Sequence, residues 1–316
     1  MRRGPAGRGR RGGGSVDHRE ESSAGSDRPA DAGMTAVVDP VTEPFAAVRP
    51  DPASAASAGV EPRADAGLGT WTFTDAMVGL GAVLLASAVI SAGVQIAVDS
   101  GLPRGPWLPL FGLLPVWIGL LGTTVWACRR HGSGSLVTDL GLRVRWSDLA
   151  VGVGMAIAGR IVAALIAVLV VGVTRQPAES NLQDLVGPGL GQTGWLIVYT
   201  VAIAVVGPII EEVFFRGLAL RSALASLSRS QRPRFATPAA RQRFAALLTA
   251  GLFAALHLPE VQSLTMLLIL MPSLFFFGWM VARWTMWSGR LGGAIVAHIG
   301  FNAVAAGVLL WSGLGR

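Results

Sequence analysis

The sequence predicts an all-α fold: a polytopic transmembrane bundle of about seven to eight helices behind a disordered N-terminal tail. Three observations carry this. Of the 316 residues, 52% are hydrophobic and 14% charged, with a mean hydropathy of +0.53, whereas soluble domains carry about 25% charge. The apolar residues gather in runs approaching the ~20 needed to cross a bilayer. The arginines gather in the connections between those runs, as they do in membrane proteins.

The tail comes first, at 1–70. It is rich in Arg, Gly, Ala, Asp, Pro and Ser, its 9 Arg nearly balance 10 acidic residues, and it has no apolar run able to form a core. No hydrophobic stretch follows the basic start, so a secretory signal peptide is not expected. The Gly-Arg repeat at its start lacks the interleaved aromatics of a nucleic-acid stacking platform. The pI near 11.3 is therefore read as loop arginine, and no nucleic-acid partner is expected. The single Cys128 excludes an internal disulfide and a cysteine-rich metal site.

The membrane domain, 71–316, holds seven candidate spans at 75–98, 107–128, 148–173, 194–218, 243–258, 262–283 and 291–312. Trp71, Trp107, Trp126, Trp146, Trp195, Trp284, Trp287 and Trp311 stand near their ends, where indole rings sit at headgroup depth. Alternate connections hold twelve arginines: 129, 130, 143 and 145, then 221, 229, 232, 234, 241 and 243, then 283 and 290. The opposite side has only Arg104, Arg175 and Arg316. By the positive-inside rule the N-terminus is cytoplasmic and the C-terminus outside. The glutamate-bearing helix is free to continue past 218. Arg160, an isolated charge in the third span, is read as structural.

Ionisable groups inside a span cost about 2.5–3.5 kcal/mol each on insertion scales. The last four spans nevertheless hold Glu211 and Glu212, His257, and His298 followed by Asn302. Glu212 and Arg216 are i, i+4 and can pair. Glu211 is turned about 100° from Glu212 and stays free to face something else. Phe253 with His257, and His298 with Asn302, share helix faces. Counted from the nearest loop arginine at ~1.5 Å per residue, Glu211 lies ~15 Å deep, His298 ~12 Å and His257 ~21 Å. The expectation is one polar cavity, shared by three helices and reached from the cytoplasm.

A carboxylate there can take a proton from water as the water attacks a peptide carbonyl. A histidine can help hold that water, and a second histidine with Asn302 can donate to the oxyanion. Two His and one or two Glu can alternatively bind Zn²⁺, the set being Glu211, His257 and His298, although the spacing is not that of an HExxH helix.

At these residues the chain resembles the CAAX-protease and bacteriocin-processing (CPBP, or ABI) family of intramembrane proteases. The family's EExxxR motif matches Glu211 to Arg216, its FxxxH motif Phe253 to His257, and its HxxxN motif His298 to Asn302. The resemblance covers about 193–311. A further stretch, Asp139-Leu140-Gly141-Leu142-Arg143, looks like one found upstream in the family. The resemblance implies an integral membrane endopeptidase of a prokaryotic plasma membrane. Glu211 would activate water, His257 would help hold it, and His298 and Asn302 would form the oxyanion site. Glu212, Arg216 and Phe253 would support them. No cofactor is required on the metal-free mechanism, which is favoured because Asn is a poor zinc ligand, with zinc as the alternative. The expected partners are the lipid bilayer and a membrane-associated peptide or protein, prenylated if the family name applies. The competing readings are a non-catalytic scaffold or bacteriocin-immunity protein that binds a peptide in the same cavity, and a transporter with Glu211 as proton relay.

Overall fold

The structure, a computed structural model, describes residues 70–103, 105, 108–178 and 193–314. The tail expected at 1–70, apart from Thr70, lies outside the described residues, as do Arg104, Trp107 and Arg316. Among the described residues there is no strand. Eight helices follow in order: α1 (Phe73–Asp99), α2 (Leu108–His131), the short α3 (Leu136–Leu140), α4 (Trp146–Thr174), α5 (Thr193–Ser228), α6 (Pro238–Leu256), α7 (Leu264–Ser288) and α8 (Gly292–Leu314). The expected all-α bundle is the architecture found, and the glutamate-bearing helix does run on to Ser228.

Of the seven expected spans, five meet the length and hydropathy of a crossing helix among the described residues: α1, α2, α4, α5 and α7. The described apolar part of α8, Gly292–Val308, is shorter. The helix α6 falls short because its first turns carry Arg241, Gln242 and Arg243. The outer faces of the long helices fit lipid. Leu84, Leu85, Leu165, Val168 and Val173 are all more than 60% exposed. So continuous an apolar surface is tolerated in hydrocarbon and not in water. The chain is an integral membrane protein.

Small residues set the helix contacts, as expected where backbones must approach without a hydrophobic driving force. On α4, a Cβ at Gly152 would stand 2.5 Å from the Val296 Cβ of α8, and one at Gly159 would meet the Phe277 ring at 2.9 Å. Gly154, one turn away from neither, faces open space. Gly152→Ala is therefore expected to destabilise the α4–α8 contact by about 1–3 kcal/mol through overpacking. Gly154→Ala should be neutral or stabilising by up to about 1 kcal/mol, since alanine is the better helix former. Thermal unfolding of the two purified variants in detergent checks the contrast.

The arginine-rich connections meet at one end of the bundle. Arg290 Nη2 donates to Asp148 Oδ1 at 2.6 Å, tying the α7–α8 turn to the start of α4. Arg229 donates to the Trp71 carbonyl at 2.6 Å. The stretch Asp139–Arg143 is a plug at this end. Gly141 closes α3 with φ +65°, its carbonyl accepts from the Leu291 amide at 3.0 Å, and a Cβ there would run into the Gly289 carbonyl. Arg221 Nη2 bridges the Leu140 and Gly289 carbonyls at 3.0 and 3.3 Å. Of the expected belt, Trp126, Trp146, Trp287 and Trp311 are exposed, whereas Trp71 is buried in the core. Trp71 is held inward because its own backbone is pinned to Arg229.

Candidate active site

The site is built on an irregular stretch of α5. Two π-helical segments, Ala202–Val206 and Val213–Ala219, bracket Gly207–Glu212. Such wide turns recur at functional sites. The first has a readable cause. Gly207 N–H bonds the Ala202 carbonyl five residues back. In that register the Ile203 carbonyl would await an N–H from Pro208, which has none. Asn302 on α8 takes its place, donating from Nδ2 to Ile203 O at 2.9 Å.

From this stretch Glu211 and Glu212 diverge. Glu212 is fully buried, and its Oε1 accepts from Arg216 Nη1 at 2.8 Å and from His298 Nδ1 at 2.9 Å. Arg216, also buried, donates from Nη2 to the Gly278 carbonyl at 3.2 Å and lies over the Phe253 ring at 4.6 Å. Cation–π contact and hydrogen bonds together offset the desolvation of the guanidinium. The expected Glu212–Arg216 pair is present. Its reach to His298, 86 residues further on, could not be read from spacing.

Glu211 faces the other way, as its 100° offset predicts. Its Oε2 stands 4.0 Å from His257 Nε2 and 3.8 Å from His298 Nε2. That oxygen is buried without a hydrogen-bond partner among the described residues. Glu211 and His257 keep 15% and 16% of their side-chain surface, against 2% for His298, so the opening lies on the Glu211–His257 side.

His257 was expected inside a span. It is instead the residue that closes α6, with φ −91° and ψ 2°. Pro259 has no N–H to continue the helix, and a 3-10 turn, Leu258–Glu260, follows. The Phe253 carbonyl lies 2.9 Å from His257 Nδ1. A carbonyl only accepts, so this places a hydrogen on Nδ1 and leaves Nε2 as the ring nitrogen that faces Glu211. For His298 the Glu212 carboxylate does the same at Nδ1. Phe253 is the buttress of the site: its ring packs edge-on against His257 at 5.1 Å, His298 at 5.4 Å and Phe215 at 5.3 Å.

The donor set of Glu211, His257 and His298 is one that zinc uses, and both imidazoles have an oxygen behind Nδ1, as zinc ligands do. The spacing is wider. Ligands about 2.0–2.1 Å from a tetrahedral zinc lie about 3.3 Å apart, against the 3.8 and 4.0 Å here. Among the described residues no three His, Cys, Asp or Glu are set to hold a metal ion.

Arg160, read as structural, has a structural setting. Its guanidinium donates to the Phe301 carbonyl and stacks 3.9 Å over that ring. Trp117, absent from the sequence reading, does reach the site. Its Nε1 and Glu211 Oε1 both lie 3.7 Å from the point where a Gly207 Cβ would stand.

Residues 193–304 match the model of the family described as Type II CAAX prenyl endopeptidase Rce1-like. The match spans all three motifs and bears out the resemblance read from them. No curated protein and no solved structure matches the chain.

Proposed function

We propose that this chain, Rce1-like over residues 193–304, is an intramembrane endopeptidase that hydrolyses a peptide bond with water activated by Glu211. One observation carries the reading: a carboxylate oxygen with no hydrogen-bond partner among the described residues stands near two imidazole nitrogens, 3.8 and 4.0 Å away. A water donating one hydrogen to Glu211 Oε2 and the other to the His257 Nε2 lone pair keeps its own lone pair for attack. As its oxygen bonds the carbonyl carbon, Glu211 takes the proton and the π electrons move to the carbonyl oxygen. When the C–N bond breaks, the same proton passes to the departing amine. His298, when doubly protonated, donates from Nε2 to the developing oxyanion, and the second N–H of Asn302 serves it too. Glu212, Arg216 and Phe253 hold His298 and His257 in place.

This mechanism routes no step through a metal. The arginine-rich connections gathered at one end of the bundle support a cavity entered from the cytoplasm, with the N-terminus on that side. The substrate is a membrane-associated peptide or protein, and the family description points to one carrying a prenyl group. The test is cleavage of a prenylated reporter peptide by the purified chain in liposomes, read by mass spectrometry, with Glu211→Gln as the matched variant.

A further inference from the structure

The proposed hydrolysis leaves the developing oxyanion short of donors. His298 spends its Nδ1 hydrogen on Glu212 and donates from Nε2 only when doubly protonated. Asn302 spends one of its two N–H groups on Ile203 O. An oxyanion in a dry site needs preset donors, each worth about 10²–10³ in kcat.

Trp117 supplies one. It stands in the interior of α2, ten places into a helix of 24 residues, so it is not a headgroup anchor. Its side chain is half-buried, and its indole N–H makes no hydrogen bond among the described residues. Here Nε1 borders the same small space as Glu211 Oε1, each 3.7 Å from the position of a Gly207 Cβ. Glycine at 207 keeps that space clear. The indole donor and the carboxylate thus approach one point beside Gly207.

We infer that Trp117 Nε1–H is a catalytic hydrogen-bond donor to the scissile carbonyl oxygen. It polarises the carbonyl and holds the negative charge after water adds, without giving up its proton. The inference rests on the peptidase reading of Glu211.

Trp117→Phe removes the N–H and keeps an aromatic ring. With the prenylated reporter in liposomes, kcat is expected to fall about 100-fold, with KM within about twofold and the pH profile unchanged. Replacing Trp117 by benzothienylalanine, in which sulfur takes the place of N–H in a ring system of the same shape, should give the same fall. It also covers the case in which the Phe variant folds poorly. A kcat within threefold of wild type for the sulfur isostere, while Glu211→Gln is inactive, overturns the donor role and leaves the peptidase reading standing. A raised KM with kcat unchanged also overturns it, since that is loss of binding and not of transition-state stabilisation. If Glu211→Gln cleaves like wild type, both readings fall together.

Discussion

Glu211→Gln is expected to lower cleavage of a reporter peptide by at least about 1000-fold while leaving the protein folded. The amide has the shape of the carboxylate but cannot take a proton from water, and general-base catalysis contributes about 10²–10⁴. Folding should not suffer. Glu211 Oε2 has no hydrogen-bond partner among the described residues, so the substitution breaks no bond to that oxygen and removes a poorly hydrated charge. The melting temperature in detergent should equal or exceed that of the parent, as when a functional charge is held at the expense of stability. A variant that turns over at the parental rate removes Glu211 from the mechanism. A variant that unfolds shows instead that the carboxylate is structural.

Arg216→Met is expected to have the largest effect on stability. Arg216 is the cation inside the core beside Glu212, at 2.8 Å, with both side chains essentially fully buried. Removing one partner of a buried pair leaves an uncompensated charge and costs about 3–5 kcal/mol. For a protein of this size that corresponds to a fall of roughly 10 °C in melting temperature. Activity should fall too, because the Glu212 carboxylate that accepts from His298 Nδ1 loses its anchor. The double variant Glu212→Gln/Arg216→Met should be more stable than Arg216→Met alone, since no charge is then stranded. A single variant that melts within 2 °C of the parent, or a double variant that melts below the single, would contradict a buried, mutually dependent pair.

Much of the site could be read from local spacing. The i, i+4 relations of Glu212 with Arg216 and of Phe253 with His257 became contacts, because spacing along one helix dictates which side chains are neighbours. The divergence of Glu211 from Glu212 followed from helical pitch alone. Links between helices were not readable in this way. That Glu212 also holds His298, and that Asn302 answers the carbonyl left over by Pro208, depends on how α8 lies against α5. Trp117 escaped notice because a lone tryptophan in an apolar helix carries no pattern; only its approach to Gly207 beside Glu211 marks it. Among the described residues α6 falls short of a crossing helix for a compositional reason. The α6 segment reads as apolar from residue 243 onward, but the helix begins at Pro238 and ends at Leu256, so its polar first turns are part of it. The arginine-rich connections meet one another through Arg221, Arg229 and Arg290.

The central claim is spatial: three remote stretches of sequence bring one carboxylate and two imidazoles around a common point. Cysteine crosslinking in native membranes tests it most directly, with Cys128, the one native cysteine, replaced by serine. The pairs are Glu211→Cys with His298→Cys, and Glu211→Cys with His257→Cys. The pair Asp148→Cys with Arg290→Cys, taken from a contact of 2.6 Å, serves as control. A short bifunctional thiol reagent should link all three pairs, each identified as a joined peptide by mass spectrometry. Linkage of the control alone, with both Glu211 pairs left unjoined, would contradict the convergence and with it the hydrolytic site.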